Sequence, residues 1–211
     1  MTDVRDHAIV VAILVALPAV VSAGSLDADL AASEPPHITS WDELGVLRTQ
    51  IDMDGGATVQ GEAIRFGPRV PINRNVYIGA ELDTGTLSGR IPTTATFRSS
   101  GGGEMEPTAA VSGKYGAVRA IIGVRARFGF LSAAGEFAAG AHAADLHDAY
   151  GTQLDGVRSD STVIEGRARL DLWVTPRFTV GAIAGAGIDD SRDVTAGILV
   201  GYHFGNYDGM R

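Results

Sequence analysis

The feature that most constrains the fold of this chain is a strict two-residue alternation of apolar side chains with polar or small ones. In residues 118–130, Val118 and Ile122 share one face, whereas Arg119 and Arg125 share the other. Because successive side chains of a strand point to opposite faces, this alternation predicts β-strands. No long stretch of helical period follows residue 40. The same alternation recurs in residues 76–84, 137–143, 164–174, 178–186 and 194–204.

The predicted strands are joined alternately by short turns and by longer polar loops. Two weaker stretches, at about 44–53 and 58–70, bring the predicted number of strands to eight, although Pro68 and Pro71 interrupt the second. An even number of strands, with short turns at one end and longer loops at the other, is typical of a membrane β-barrel. We expect short turns at 72–75, 131–134 and 175–177, and loops at 89–113, 145–160 and 189–193.

The N-terminus has the pattern of a secretory signal peptide. Residues 8–21 are apolar and uncharged, and the small residues of Val21-Ser22-Ala23 suit a cleavage site. This run is shorter than the roughly 20 residues of a spanning helix. Asp3 and Asp6 depart from the usual positive start, so an uncleaved anchor is the alternative. We expect a signal peptide at 1–23, a flexible leader at 24–43, the barrel at 44–204 and a tail at 205–211.

Alternation alone does not decide which face of each strand points outward. A soluble sandwich turns its apolar face inward. A narrow barrel of eight strands, however, needs small residues inside, whereas glycine weakens a strand that faces water. Since glycine is frequent on the polar face, we predict that the polar face lines the barrel and the apolar face contacts lipid. These glycines are Gly123, Gly129, Gly140, Gly181, Gly185 and Gly201.

The aromatic residues lie mostly near the predicted short turns or in the last strand. Such clustering indicates an aromatic girdle at one membrane interface. The predicted girdle consists of Phe128, Phe130, Phe137, Trp173, Phe178, Tyr202 and Phe204.

Four segments, VYIGAELDTG, AIIGVRARFGF, ARLDLWVTPRFTVGAIAGAG and AGILVGYHF, resemble the small outer-membrane barrels of the OmpA transmembrane-domain and opacity-porin class. The resemblance covers about residues 44–204. It implies an all-β, antiparallel up-and-down transmembrane barrel of about eight strands in the bacterial outer membrane. It also implies outer-membrane lipid and the barrel-assembly machinery as partners. Tyr202 and Phe204 resemble an insertion signal, but GNYDGMR follows here where the family usually ends on the aromatic residue.

With the apolar face outward, five acidic and five basic side chains point into the predicted barrel. Buried charges must be paired and hydrogen-bonded, or each costs several kcal/mol. We therefore predict an internal salt-bridge network that fills the barrel, and a narrow gated or ion-selective pore is the alternative. The residues are Glu81, Asp83, Arg119, Arg125, Arg127, Glu136, Glu165, Arg167, Arg169 and Asp171.

Several function classes are disfavoured by the composition. The chain has no cysteine, which excludes disulfides, thiolate catalysis and cysteine-ligated metals. A net charge of -8 argues against sequence-independent nucleic-acid binding. We expect no cofactor, and no catalytic set is visible, so we do not expect an enzyme. The spacing of His142, Asp145, His147 and Asp148 is common in polar loops and does not favour a metal site.

Three hypotheses on function remain. The first is a structural or adhesive outer-membrane barrel whose loops 89–113 and 145–160 contact extracellular ligands or surfaces. The second is a small porin or ion channel. The third is a soluble periplasmic β-barrel that binds an apolar ligand.

Overall fold

The barrel is seen in a computed structural model that describes residues 37–52, 58–92, 97–98, 104–105, 108–148, 150, 160–188 and 193–206. Eight of the described strands form one closed barrel, in which each strand pairs antiparallel with the next and the last closes on the first. This confirms the predicted fold class. The strands are β1 (His37–Asp52), β2 (Thr58–Pro71), β3 (Val76–Pro92), β4 (Thr108–Phe128), β5 (Leu131–Asp148), β6 (Asp160–Thr175), β7 (Phe178–Gly187) and β8 (Val194–Asn206).

One small element lies outside the barrel wall. Phe97–Arg98 and Glu104–Met105 form a separate two-residue ladder between β3 and β4. No helix among the described residues is long and apolar enough to cross a bilayer.

The short turns define one end of the barrel, here called the turn end, and the opposite end is called the loop end. Turns at 72–75 and at Pro176-Arg177 lie where the sequence predicts them. The predicted turn at 131–134 is wrong, because Leu131 already begins β5 and the turn consists of Gly129 and Phe130. Gly129 has φ 62°, a conformation that costs other residues energy, so it makes the two-residue turn and does not line the barrel.

The first strand begins earlier than predicted. Residues 37–43, assigned above to the leader, form the start of β1 and pair with β8, as in Trp41 with His203. Closing a barrel requires a partner along the whole of β8, which removes the unpaired edge. The rest of the leader and the signal peptide, residues 1–36, lie outside the described residues. Of the predicted tail, Gly205 and Asn206 belong to β8, and 207–211 also lie outside.

The second strand continues through both prolines. Pro71 is its last residue, and the ladder from β2 to β3 is interrupted at Gly67 and Pro68 but resumes at Arg69. Proline has no N–H to donate, which accounts for this local gap. Ala63, Arg65, Gly67 and Arg69 are buried, and the residues between them are exposed, so the alternation is regular.

The strands also reach further towards the loop end than predicted. β3 ends at Pro92 and β4 begins at Thr108, while β5 ends at Asp148 and β6 begins at Asp160. The ends of the predicted loops 89–113 and 145–160 are therefore strand. Their remaining residues lie outside the described ones, apart from 97–98, 104–105 and 150.

An apolar band surrounds the outer wall from the turn end to beyond the middle of the barrel. Its large side chains are 39% to 63% exposed. They include Leu44, Val46, Ile64, Phe66, Ile78, Leu82, Val118, Ile122, Val124, Leu170, Leu172, Val174, Val180, Ile198 and Val200.

Above this band, on β1 to β5, the outer wall becomes polar in register across the strands. We call these three rows the polar wall. The lowest row is Arg48, Glu62, Thr86, Lys114 and Asp145; the middle row is Gln50, Gln60, Ser88, Ser112 and His147; the upper row is Asp52, Thr58 and Arg90, beside the apolar Ala110.

At the level where the outer face of these strands becomes polar, their inner face becomes mostly apolar. Within the polar wall most inward residues belong to an apolar cluster, whereas the arginine–carboxylate pairs lie within the apolar band. The same strands therefore change from apolar outside and charged inside to polar outside and apolar inside. The apolar cluster contains Ile51, Val59, Ala63, Leu87, Val111, Tyr115, Ala117, Ala144 and Leu146.

We predict that Gly129→Ala destabilises the barrel by about 1 kcal/mol, because only glycine adopts this turn conformation without strain. The matched control is Gly116→Ala, where an added Cβ would meet only the carbonyl oxygen of Asp83, at 3.8 Å. Denaturant unfolding in detergent micelles measures both. Equal free energies of unfolding for the two variants would contradict this assignment of the turn.

Candidate functional site

The interior of the barrel has three sections along its axis. An aromatic and cationic group lies at the turn end, ion pairs fill the middle, and the apolar cluster lies at the loop end. The middle section is built from side chains that alternate inward on β1 to β6, while Ile183 and Leu199 pack with Leu47 on the side of β7 and β8.

Apart from two His–Asp contacts, the ion pairs of the described residues join six carboxylates with five guanidinium groups. Arg65 is the most regular example, since its Nε and Nη2 donate to the two oxygens of Asp83 at 2.7 and 2.8 Å. Such forked contacts are the strong form of a charge-assisted hydrogen bond. The members of this network are Glu43, Glu81, Asp83, Glu136, Glu165 and Asp171, with Arg65, Arg69, Arg119, Arg167 and Arg169.

Several of these contacts cross the lumen between strands that are not neighbours. Arg167 on β6 donates from Nη1 to Glu81 on β3, at 2.6 Å. Arg169, also on β6, donates to Glu43 on β1. Tyr77 on β3 donates its hydroxyl to Glu136 on β5 at 2.6 Å. The paired side chains therefore span the cross-section of the barrel and tie its opposite walls together.

Glycines on β7 leave the room that this network occupies. A Cβ on Gly181 would overlap the carboxylate of Asp171, and one on Gly185 would overlap the side chain of Arg167. On β4, a Cβ on Gly123 would overlap the ring of Tyr77. The glycines on the inner face thus lie against the largest inward side chains, which is the packing that a narrow barrel requires.

Aromatic rings and arginines close the turn end. The ring of His203 lies between those of Trp41 and Trp173, with centroids 5.5 and 4.3 Å away. Arg125 and Arg127 add cation–π contacts, 4.5 Å from the Trp41 ring and 4.1 Å from the Trp173 ring, respectively. We call these five residues the turn-end stack.

Eight of the ten charges predicted to line the lumen are members of the network. The other two, Arg125 and Arg127, also point inward but belong to the turn-end stack. The prediction missed Glu43, Arg65 and Arg69. The alternation around Arg65 and Arg69 was present in the sequence but was discounted because of the nearby prolines. Glu43 was missed because it lies in the segment assigned to the leader.

The predicted aromatic girdle needs two corrections. Phe128, Phe130, Phe178 and Phe204 are 42% to 65% exposed on the outer wall near the turn end. Tyr202 packs against Phe178 and Phe204 there, whereas Phe137 lies further up the wall, paired with Ile122. The assignment of Trp173 to the girdle was wrong. Trp173 is 7% exposed and points inward, because it lies on the same face of β6 as Asp171 and Arg169.

The histidines considered for metal binding lie on different sides of the wall. His142 points inward, with its Nδ1 3.7 Å from Asp193, whereas His147 lies on the polar wall, 3.8 Å from Asp145. In the part of the chain that the structure describes, no group of three or more His, Cys, Asp or Glu side chains could hold a metal ion.

No protein-family profile and no curated protein matches this chain. Solved structures do. Ail of Yersinia pestis, in complex with the heparin analogue sucrose octasulfate, is 18% identical, with 78% of this chain and 97% of Ail covered and a TM-score of 0.52. Neisserial surface protein A is 10% identical, with 79% and 97% covered and a TM-score of 0.54.

The fold is that of a small outer-membrane β-barrel. This confirms, at the level of the fold, the class that the sequence resembles. At such identities the likeness concerns the fold alone, so the role of this chain has to be argued from its own residues.

We predict that Arg167→Gln destabilises the barrel by about 3–5 kcal/mol, because it leaves buried carboxylates without their cation. Arg167 is 1% exposed. The matched control is Arg74→Gln in the exposed turn 72–75, which we expect to change the free energy of unfolding by less than about 0.5 kcal/mol. If denaturant titration in detergent gave the two variants the same stability, the network would not stabilise the interior.

The inward position of both tryptophans gives a spectroscopic prediction. Trp41 and Trp173 are the two tryptophans of the chain, and both are buried. Their fluorescence in vesicles should resist quenching by brominated phospholipid as well as by aqueous iodide. The control is Phe204→Trp, an outward position whose emission brominated lipid should quench. Equal lipid quenching of the native and control proteins would place Trp173 on the outer wall instead.

Proposed function

We propose that this chain is a bacterial outer-membrane protein whose closed barrel anchors it and presents its loop end to extracellular ligands or surfaces. The observation that carries the proposal is the reversal of polarity along the same strands. A strand surrounded only by water has no reason to change its outer face from apolar to polar partway along its length. A strand that crosses a lipid layer and continues into water has that reason.

The strand lengths support this interpretation. β4 has 21 residues and β5 has 18, whereas a tilted strand needs only about 9–11 residues to cross the hydrocarbon core. The excess lies at the loop end, where the outer face is polar and the inner face is apolar. That upper part has the polarity of a soluble β-barrel, which suits a segment standing above the membrane.

The interior argues against the alternative of a soluble barrel that binds an apolar ligand. Such a protein would need an apolar lumen and a polar outer wall. Here the middle of the lumen contains ion pairs, while Leu82 and Val118 on the outer wall are 53% and 60% exposed. Monomeric soluble proteins rarely expose a continuous apolar surface of this extent.

The same ion pairs favour a closed barrel over a porin. Contacts from Arg167 to Glu81 and from Arg169 to Glu43 cross the lumen, and the turn-end stack lies below them. A conducting pore requires a continuous column of water, whereas these paired side chains occupy the cross-section.

The orientation and the remaining partners are part of the proposal. Membrane barrels have short turns on the periplasmic side and longer loops outside, so the loop end is assigned to the cell surface. The chain segments 93–107 and 149–159 join strands at that end and are proposed to contact the ligand. Tyr202 and Phe204 face outward at the end of β8, as expected of a signal for the assembly machinery. The signal peptide is proposed to direct export of the chain towards the outer membrane.

We predict that two outward positions on β3 differ in their access to water. The chain has no native cysteine. In vesicles, a membrane-impermeant maleimide should label Ser88→Cys in the polar wall and should not label Leu82→Cys in the apolar band until the protein is unfolded. Unheated protein should also migrate faster than heated protein on a gel. Equal labelling at both positions, or recovery without detergent, would refute the membrane assignment.

A further inference from the structure

We infer that Arg125 and Arg127, at the turn end of the barrel, bind the carboxylates of the acidic segment 24–36, which directly precedes β1. The inference rests on the proposed function in one respect, because it takes the chain from residue 24 onwards as the exported protein. Residues 24–36 lie outside the described residues. What bears on the contact is their sequence and their covalent attachment to His37.

Arg125 is an inward arginine that the ion-pair network leaves uncompensated. Its guanidinium lies 4.5 Å from the centroid of the Trp41 ring and 5.7 Å from that of Trp173. In the part of the chain that the structure describes, it forms no ion pair with a carboxylate. A partly buried cation carries a desolvation cost that an anion beside it would offset. The site therefore has a place for a carboxylate.

The carboxylates inside the barrel are already engaged elsewhere. Asp171 and Glu43 lie close enough to attract Arg125. However, Asp171 accepts two hydrogen bonds from Nε of Arg169, at 2.7 and 2.9 Å, and Glu43 accepts one from Nη1 of Arg169. A carboxylate for Arg125 must therefore come from outside the described lumen.

The turn end as a whole has an excess of positive charge. Arg125 and Arg127 lie in the turn-end stack, and Arg74 and Arg177 are exposed in the two turns beside it. Outside the network, Asp42 is the one acidic residue that the described strands and turns place at this end. Such a one-sided distribution of charge attracts an acidic peptide to the mouth of the barrel.

The acidic segment carries the complementary charge at a matching spacing. Its sequence, GSLDADLAASEPP, contains three carboxylates and no lysine or arginine. Asp27 and Asp29 are two residues apart, so in an extended backbone they lie on one face, about 7 Å apart. Arg125 and Arg127 have the same spacing on β4. One extended stretch therefore presents a carboxylate to each guanidinium group.

The attachment point of the segment brings it within reach of the mouth. β1 begins at His37 at the turn end, and the Trp41 ring contacts Arg125. From His37 to Trp41 the strand rises about 13 Å. The chain from Asp29 to His37 can span up to about 27 Å when extended. Attachment to the same molecule also gives an effective concentration of about 1 mM or more, so weak charge contacts suffice.

The test places a fluorophore on the acidic segment and uses the native tryptophans as its quencher. The chain has no cysteine, and its two tryptophans both lie in the turn-end stack. Protein that begins at residue 24 and carries Ala28→Cys is labelled with bimane and folded in detergent. Because tryptophan quenches bimane only at short range, we expect quenching that high salt relieves. The same label on Ser88→Cys, at the loop end, should not be quenched.

Two sets of charge variants test the contact from either side. Asp27→Asn with Asp29→Asn should lower the ratio of docked to undocked molecules about fivefold, equivalent to about 1 kcal/mol. These positions precede β1, so the barrel keeps all of its own residues. Arg125→Gln with Arg127→Gln should relieve the quenching in the same way. The control Asp145→Asn removes an exposed carboxylate at the loop end and should leave the quenching unchanged.

An unquenched label on Ala28→Cys, or quenching that both sets of variants leave intact, would overturn the inference. So would quenching that falls on dilution of the protein, since the segment would then occupy a second copy. Heat-modifiable migration and maleimide labelling of β3 report membrane insertion independently. Normal insertion without quenching would refute only the contact, whereas failed insertion would refute the proposed function.

Discussion

The ion pairs across the lumen are the interaction on which the rest of this barrel depends. Burying a charge costs several kcal/mol unless a partner compensates it, so each inward arginine fixes where a carboxylate must lie. Arg167 and Arg169 on β6 reach Glu81 on β3 and Glu43 on β1. These contacts require small residues on β7, where Gly181 and Gly185 provide the space. Narrow cross-section, glycine placement and closure of the lumen therefore share one electrostatic cause.

The network also explains why the outer wall is divided into an apolar band and a polar wall. The arginine–carboxylate network fills the interior within the apolar band, where lipid outside leaves the lumen as the place for polar side chains. Towards the loop end, Leu87, Val111 and Leu146 replace them inside, and the outer face becomes polar. This upper part has an ordinary apolar core and can hold its outer surface rigid in water. The apolar band and the polar wall are thus consecutive segments of the same strands.

Much of the fold could be predicted because the two-residue alternation specifies the face of the strand on which each side chain lies. That parity places Glu81, Arg119 and Arg167 inside, and it places Trp173 inside as well, although its nearness to a turn suggested the girdle. Parity does not state which partner lies across the lumen. Arg125 has the right face, yet its height brings it to Trp41 rather than to a carboxylate. Glu43 could not be recognised as a residue of β1 until the pairing of β8 along its whole length was known, because register at the closing seam is a property of the whole barrel.

We propose that the packed interior makes this barrel an anchor and not a pore, and planar-bilayer conductance tests this proposal most directly. Protein carrying Ser88→Cys, labelled with a fluorophore, allows inserted barrels to be counted in the same membrane. We predict that inserted barrels produce no stepwise current, because the cross-lumen pairs and the turn-end stack interrupt the water column. Stable current steps whose number follows the number of inserted barrels would contradict this account.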